Sequence, residues 1–277
     1  MNKFKIKPAT IAVAMILAFT ASIISGCNDA GKNNPSKDDG CLELDTLSYT
    51  DSITDAAGNE ITAYTYAVMP SSADGSENQR QTIRLLIKNI FDMDNDSLML
   101  PEAIKKYTSG ILDIYRNDIA APSSTNQKTK YRITNIIAPT YRSDRIWCFL
   151  KTSEMEKNGK QRILTSRYYS FEAQTMERIN LTDIFNDKDI SIVSDLLKKR
   201  LIQQEKVSDQ SQLIELGYFN IDNLSASNNF YFTDKGIVFC YEPFEIACYA
   251  IGEVEIELDY NVLKPYIRQD FHSNLFS

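Results

Sequence analysis

Between Glu60 and Met69 the chain alternates with a period of two: Ile61, Ala63, Thr65 and Ala67 on one side, Thr62, Tyr64, Tyr66 and Val68 on the other. That spacing predicts a strand, which Pro70 closes. The turn signal Asp55-Ala56-Ala57-Gly58-Asn59 joins it to an earlier strand over residues 42–53. The period then changes to that of a helix. Ile83, Leu86, Ile87, Ile90 and Phe91 form one apolar stripe, and Ile104, Tyr107, Ile111, Leu112 and Tyr115 form a second, with Pro101 in its first turn. Residues 130–138 and 144–155 read as strands again. Lys157-Asn158-Gly159-Lys160 is the sharpest tight-turn signal in the chain, and residues 162–171 return from it.

Asp189 opens a further helix with the stripe Ile192, Val193, Leu196, Leu197 and Leu201. Shorter helical pieces are expected at 211–216 and at 261–268, the latter interrupted by Pro265. The last sheet is the most clearly patterned. Phe230 and Phe232 precede the turn Thr233-Asp234-Lys235-Gly236, and Ile237 to Tyr241 is β-branched and aromatic, which makes a hairpin. Val254, Ile256 and Leu258 then alternate with Glu253, Glu255, Glu257 and Asp259, giving one apolar row and one acidic row. Together these elements predict an α+β protein: antiparallel sheets with helices packed on them, in two successive subdomains at 41–171 and 172–268, with a tail at 269–277.

The N-terminus is patterned for processing. Lys3, Lys5 and Lys7 precede an apolar run over 11–24, and Ile24-Ser25-Gly26-Cys27 has the form of a lipobox. Residues 1–26 are therefore expected as a signal peptide, with acyl chains on Cys27 and a polar tether through residue 40. This predicts a lipoprotein of the bacterial cell envelope, held to the membrane by lipid on Cys27, its folded part in the periplasm or at the cell surface.

Charge narrows the partners. The chain carries 37 acids and 30 bases, and loss of the three N-terminal lysines leaves 30 − 3 = 27 bases, a net charge of about −10. Nucleic acid is excluded as a partner by repulsion from its phosphates. No metal centre is expected, because there is no CxxC pair and His272 is the single histidine. Asp92, Asp94 and Asp96 alternate like the start of a calcium loop, but Ser97 and Ala103 stand where that loop needs Gly and a bidentate Glu. Cys148 and Cys240 sit among large apolar residues and read as small core side chains. A Cys240 to Cys248 disulfide across Pro243 is the alternative, and Cys41 completes the set.

The run Phe232-Thr233-Asp234-Lys235-Gly236-Ile237, then Tyr241-Glu242-Pro243-Phe244-Glu245-Ile246-Ala247, then Tyr249-Ala250 and Gly252, resembles the C-terminal domain shared by RsiV-type anti-sigma factors and PdaC-type peptidoglycan deacetylases. Asn180-Leu181-Thr182-Asp183-Ile184-Phe185 extends the likeness, which covers residues 162–267 and reaches more weakly to Cys41. The resemblance implies a PdaC-like first unit and an RsiV-like second unit. It implies a binding role, with lysozyme or peptidoglycan as partner, since RsiV-type ectodomains recognise lysozyme. The PdaC relatives deacetylate through a separate catalytic domain, whose Asp and His cluster is not in this sequence, and the sigma-binding segment is likewise not matched.

Nucleophilic catalysis needs a nucleophile, a base and an orienting group. One histidine in the tail and no Gly-x-Ser-x-Gly elbow point to a protein without catalytic residues and without a cofactor. The expected ligand contacts are Tyr241, Glu242, Phe244, Glu245, Tyr249 and Tyr260, since aromatic side chains lead both interface energetics and sugar stacking. A hydrolase working through Glu242 and Glu245 and a purely structural envelope component are the alternatives.

Overall fold

The computed structural model describes residues 43–70, 77–94, 98–120, 128–159 and 161–276. The signal peptide, Cys27, the tether and Cys41 lie outside the described residues.

Strand β1 (Leu44–Thr54) pairs antiparallel with β2 (Glu60–Pro70), and Asp55 closes the turn by accepting the Ala57 and Asn59 amides at 2.9 and 2.8 Å. Helices α1 (Glu77–Phe91) and α2 (Leu100–Ala120) follow. The chain then enters β3 (Lys130–Arg142), which pairs parallel with β2. This makes the first sheet mixed, where the sequence pattern suggests antiparallel pairing throughout. The two helices form the long crossover that a parallel pair requires. β4 (Ile146–Lys157) and β5 (Gln161–Glu172) complete the order β1-β2-β3-β4-β5. The predicted turn is present between the paired residues Lys157 and Gln161, with Asn158 at φ 52° and Gly159 at φ 70°, backbone conformations that Asn and Gly adopt readily.

α2 lies on β1 and β2. Ile111 and Leu112 meet Ile61, Ala63, Tyr131 and Ile133, all buried. Polar residues also meet there: the buried Thr108 hydroxyl donates to the Ile104 carbonyl and shares a 2.7 Å bond with Thr65 Oγ1.

The second half begins with the short helix α3 (Leu181–Ile184), whose Asn180 and Asp183 form a capping box. α4 (Asp187–Glu205) and α5 (Gln210–Leu216) come next, α5 capped by Asp209 at its start and by Gly217 at φ 105° at its end. In α4 Val193, Leu197 and Leu201 are buried and Ile192 is exposed, so the real stripe is narrower than the sequence suggests. Strands β6 (Phe230–Phe232), β7 (Gly236–Tyr241) and β8 (Val254–Asp259) form an antiparallel sheet in that order. α4 covers the β8 edge: Arg200 Nε and Gln204 Nε2 donate to the carbonyls of Glu257 and Glu255. Edge carbonyls that would otherwise template another strand are thereby taken up.

The last segment is irregular. α6 (Tyr260–Leu263) spans only four residues, and α7 (His272–Leu275) is equally short. Phe271, within the expected tail, is buried against Phe232 with ring centroids 6.2 Å apart. The core of this half includes Ile146 and Cys148 of β4, and residues from Leu44 onward form one compact unit. Cys148 shows why. Its Sγ lies 3.3 Å from Ser170 Oγ and accepts the Phe232 amide at 3.4 Å, so one small side chain touches β4, β5 and β6. No described helix is long and apolar enough to cross a membrane.

Candidate functional site

A cleft of about 810 Å³ opens where the two sheets meet. Asn89, Ile90 and Asp92 at the end of α1 form one wall, with Tyr107 of α2 beside them. Lys151 and Ser153 of β4 and Thr165, Arg167, Tyr168 and Tyr169 of β5 form the floor. Arg178, the loop Ser227-Asn228-Asn229, and Glu242 with Glu245 form the far wall. The loop is fixed by amide side chains rather than by strand pairing. Asn229 Oδ1 accepts the Tyr168 amide at 2.7 Å, Asn229 Nδ2 donates to the Ser166 carbonyl at 3.0 Å, and Asn228 Oδ1 accepts the Leu181 amide at 2.9 Å.

The cleft holds three cations in unlike settings. Arg167 is exposed and pairs with Glu242 at 3.2 Å. Lys151 is half-buried; its Nζ donates to the Ile90 carbonyl at 2.8 Å and lies 4.5 Å from the centre of the Tyr107 ring. Burial, reinforced by Arg167, lowers the Lys151 ammonium to about 8. Arg178 is half-buried with its guanidinium 4.9 Å from the centre of the Tyr169 ring, and burial lowers its pKa as well. Among the described residues neither Lys151 nor Arg178 has a carboxylate partner. Tyr107, pushed up to about 12 by burial, donates to Asn135 Oδ1 at 3.3 Å and stays a neutral hydroxyl.

The expected contact residues separate into three groups. Glu242 and Glu245 line the cleft, and Glu245 Oε2 accepts the Glu242 amide at 2.9 Å. Phe244 and Tyr249 are 64% and 55% exposed and stack on each other with centroids 5.5 Å apart. Phe244 also has φ 70°, a left-handed backbone that is uncommon for a bulky residue. Tyr241 belongs to the interior and Tyr260 is partly buried against the core. Tyr241 is 2% exposed and donates to the Ser225 carbonyl at 2.8 Å, and Tyr260 donates to the Thr233 carbonyl at 3.0 Å.

The Cys240 to Cys248 bridge is not formed, and both thiols are free. The backbone turns them apart. Cys240 faces its cross-strand partner Glu255, whereas Cys248 is held at Gly217, whose carbonyl accepts its amide at 2.9 Å. A Cβ at Gly217 would come 2.8 Å from Cys248 Sγ, so the two residues are in tight contact.

A second polar group lies on the acidic face of the last sheet. Cys240, Glu253 and Glu255 bring a thiol and two carboxylates within 4.8 Å of one another, close enough for one metal ion to touch all three. Two tyrosines already serve Glu255: Tyr168 and Tyr231, stacked at 4.4 Å, both donate to its Oε1, at 3.0 and 3.5 Å. Glu253 Oε1 is buried without a partner. Burial pushes the Glu253 carboxyl up to about 7; a Ser166 hydrogen bond opposes this, and Glu255 and Glu242 add to it. The alternation of residues 253–259 marks the acidic row in the sequence. The pairing of Cys240 with Glu255 depends on strand register, which that alternation does not specify.

The cleft residues Lys151, Arg167, Arg178, Asn228 and Asn229 carry no motif. They come from separate elements, and the only local sign is a basic residue interrupting an otherwise apolar or aromatic strand, as at Lys151 and Arg167.

Comparison with known proteins bears on the second half first. Residues 182–261 match the family model described as "Protein of unknown function (DUF3298)". No curated protein matches. Among solved structures, a member of the DUF3298 family from Bacteroides fragilis superposes with a TM-score of 0.70 at 20% identity, over 85% of this chain and 97% of the other. A DUF3298 family protein from Pseudomonas aeruginosa gives a TM-score of 0.55 at 12% identity, over 86% and 98%. The segment from α3 to the start of α6 thus matches a DUF3298 domain, of unknown function, and the wider chain shares its fold with two solved DUF3298 proteins.

Proposed function

We propose that this protein is a non-catalytic, lipid-anchored binding module of the cell envelope, and that its cleft receives a strand of cell-wall glycan. The observation that carries the reading is the composition of the cleft. Carboxamides, tyrosines and cations drawn from both halves converge on one open polar cavity, the lining that recognition of a hydroxylated ligand requires. The lipobox at Cys27 and the resemblance to RsiV and PdaC proteins support the same setting. Glu242 and Glu245 act here as structural acceptors: one neutralises Arg167 and the other holds a backbone amide.

The exposed Phe244 and Tyr249 pair favours a second reading, contact with a cationic protein such as lysozyme, because two stacked aromatics in an acidic chain fit a protein interface. Co-sedimentation of the full chain with insoluble peptidoglycan, beside a pull-down with lysozyme, separates the two. Saturable sedimentation without release of soluble fragments is expected. Fragment release that disappears in Glu242→Gln would instead make the protein a hydrolase, and capture by lysozyme alone would favour the second reading.

A further inference from the structure

We propose that Lys151 and Arg178 form an anion-holding end of the cleft and that the ligand presents a carboxylate to them; this rests on the glycan reading above and narrows it to an acidic sugar. Desolvated cations are normally paired, because a charge withdrawn from water without a counter-charge is costly. These two are half-buried, and each is seated on a tyrosine ring at the same cleft. The carboxylates at the cleft are spent elsewhere or stand back. Glu242 pairs with Arg167, Glu245 accepts the Glu242 amide, and Asp92 acts on Lys151 only through its field.

Arg167, although paired with Glu242, acts on both cations through its field. The ammonium of Lys151 makes one hydrogen bond, to Ile90, and the Arg178 guanidinium makes none among the described residues. Donors therefore remain on both cations. A carboxylate that enters the cleft they both line would gain charge-assisted hydrogen bonds from them in a site already stripped of part of its water. The tyrosine rings beneath fix the cations in place without neutralising them.

The test is calorimetric titration of the full chain in detergent with three probes: a disaccharide containing N-acetylmuramic acid, the methyl ester of the same disaccharide, and inorganic phosphate. The acid is expected to bind about tenfold tighter than the ester or better, with the advantage lost in Arg178→Met and reduced in Lys151→Met. Equal binding of acid and ester overturns the carboxylate site and leaves the glycan reading standing. An acid preference that survives in both variants overturns the assignment to these residues. Binding of phosphate alone, or of none of the three, overturns both readings. The comparison of acid with ester uses the unaltered chain, so it tests the carboxylate preference even where a variant fails to fold, and Lys151→Arg, which keeps the charge, is expected to retain the preference that Lys151→Met reduces.

Discussion

Asn229 is bonded to the backbone of Tyr168 as a neighbouring strand would be: its Oδ1 accepts the Tyr168 amide at 2.7 Å while its Nδ2 donates to the carbonyl of Ser166 at 3.0 Å. One carboxamide thus satisfies the edge of β5 and sets the loop that walls the cleft. Asn229→Ala leaves two backbone groups without their partners and is expected to destabilise the chain by about 1 to 3 kcal/mol, read from urea denaturation. Asn229→Asp keeps only the acceptor and should fall between the two. A variant as stable as the parent would show that water replaces the carboxamide.

Glycine substitutions give a contrasting pair. A Cβ at Gly236 would lie 2.1 Å from the carbonyl oxygen of Leu258 on β8, whereas one at Gly110 meets nothing within 4 Å. Gly236→Ala forces two strands apart and is expected to cost about 3 kcal/mol or more. Gly110→Ala, in the middle of α2, is expected to stabilise by about 0.5 to 1 kcal/mol through helix propensity and the unfolded chain. Thermal unfolding of both checks the signs.

The Glu253 carboxyl ties stability to pH. Its folded-state pKa, about 7, lies above the ordinary value of 4.5 because of burial, so the folded protein holds its proton more tightly than the unfolded chain does. Its contribution is fully present below about pH 4.5 and is lost as the pH rises through 7. Glu253→Gln should therefore stabilise the protein at pH 8, by on the order of 2 kcal/mol, and change little at pH 4. Parallel denaturation curves for variant and parent at both values would contradict the buried, unpartnered position of Oε1.

Phe244 separates stability from binding. Its exposed ring and left-handed backbone mean that Phe244→Gly relieves strain without opening a cavity, so the melting temperature is expected to stay level or rise. If Phe244 and Tyr249 touch a partner, the same variant weakens capture of that partner. Loss of stability would instead place the ring in the fold.

The predicted elements and their turns were legible because each rests on local chemistry. Asn158 and Gly159 can both take positive φ, and Val254, Ile256 and Leu258 bury one face at a period of two. The parallel pairing of β2 with β3 was not legible, since a pair of amphipathic helices fits equally well over an antiparallel sheet. Tyr241 and Tyr260 look like contacts in sequence because aromatic side chains lead interface energetics and sugar stacking. In the fold their hydroxyls satisfy the carbonyls of Ser225 and Thr233, the Tyr241 ring fills the core and the Tyr260 ring packs partly buried against it. The cleft stayed hidden for a related reason: Lys151 and Arg178 are brought to one cavity only when β4, β5 and the following turn are assembled, and their spacing in the chain matches no period.

If the cleft between the sheets receives the ligand, filling it must weaken binding. Thr165 lines its floor on β5, and Thr165→Trp fills part of its volume. The most direct measurement is co-sedimentation of the full chain with purified peptidoglycan, parent against Thr165→Trp, with folding of the variant checked by circular dichroism. Saturable binding by the parent and a loss of about tenfold or more in the folded variant are expected. Equal binding by the two, or none by the parent, would contradict it.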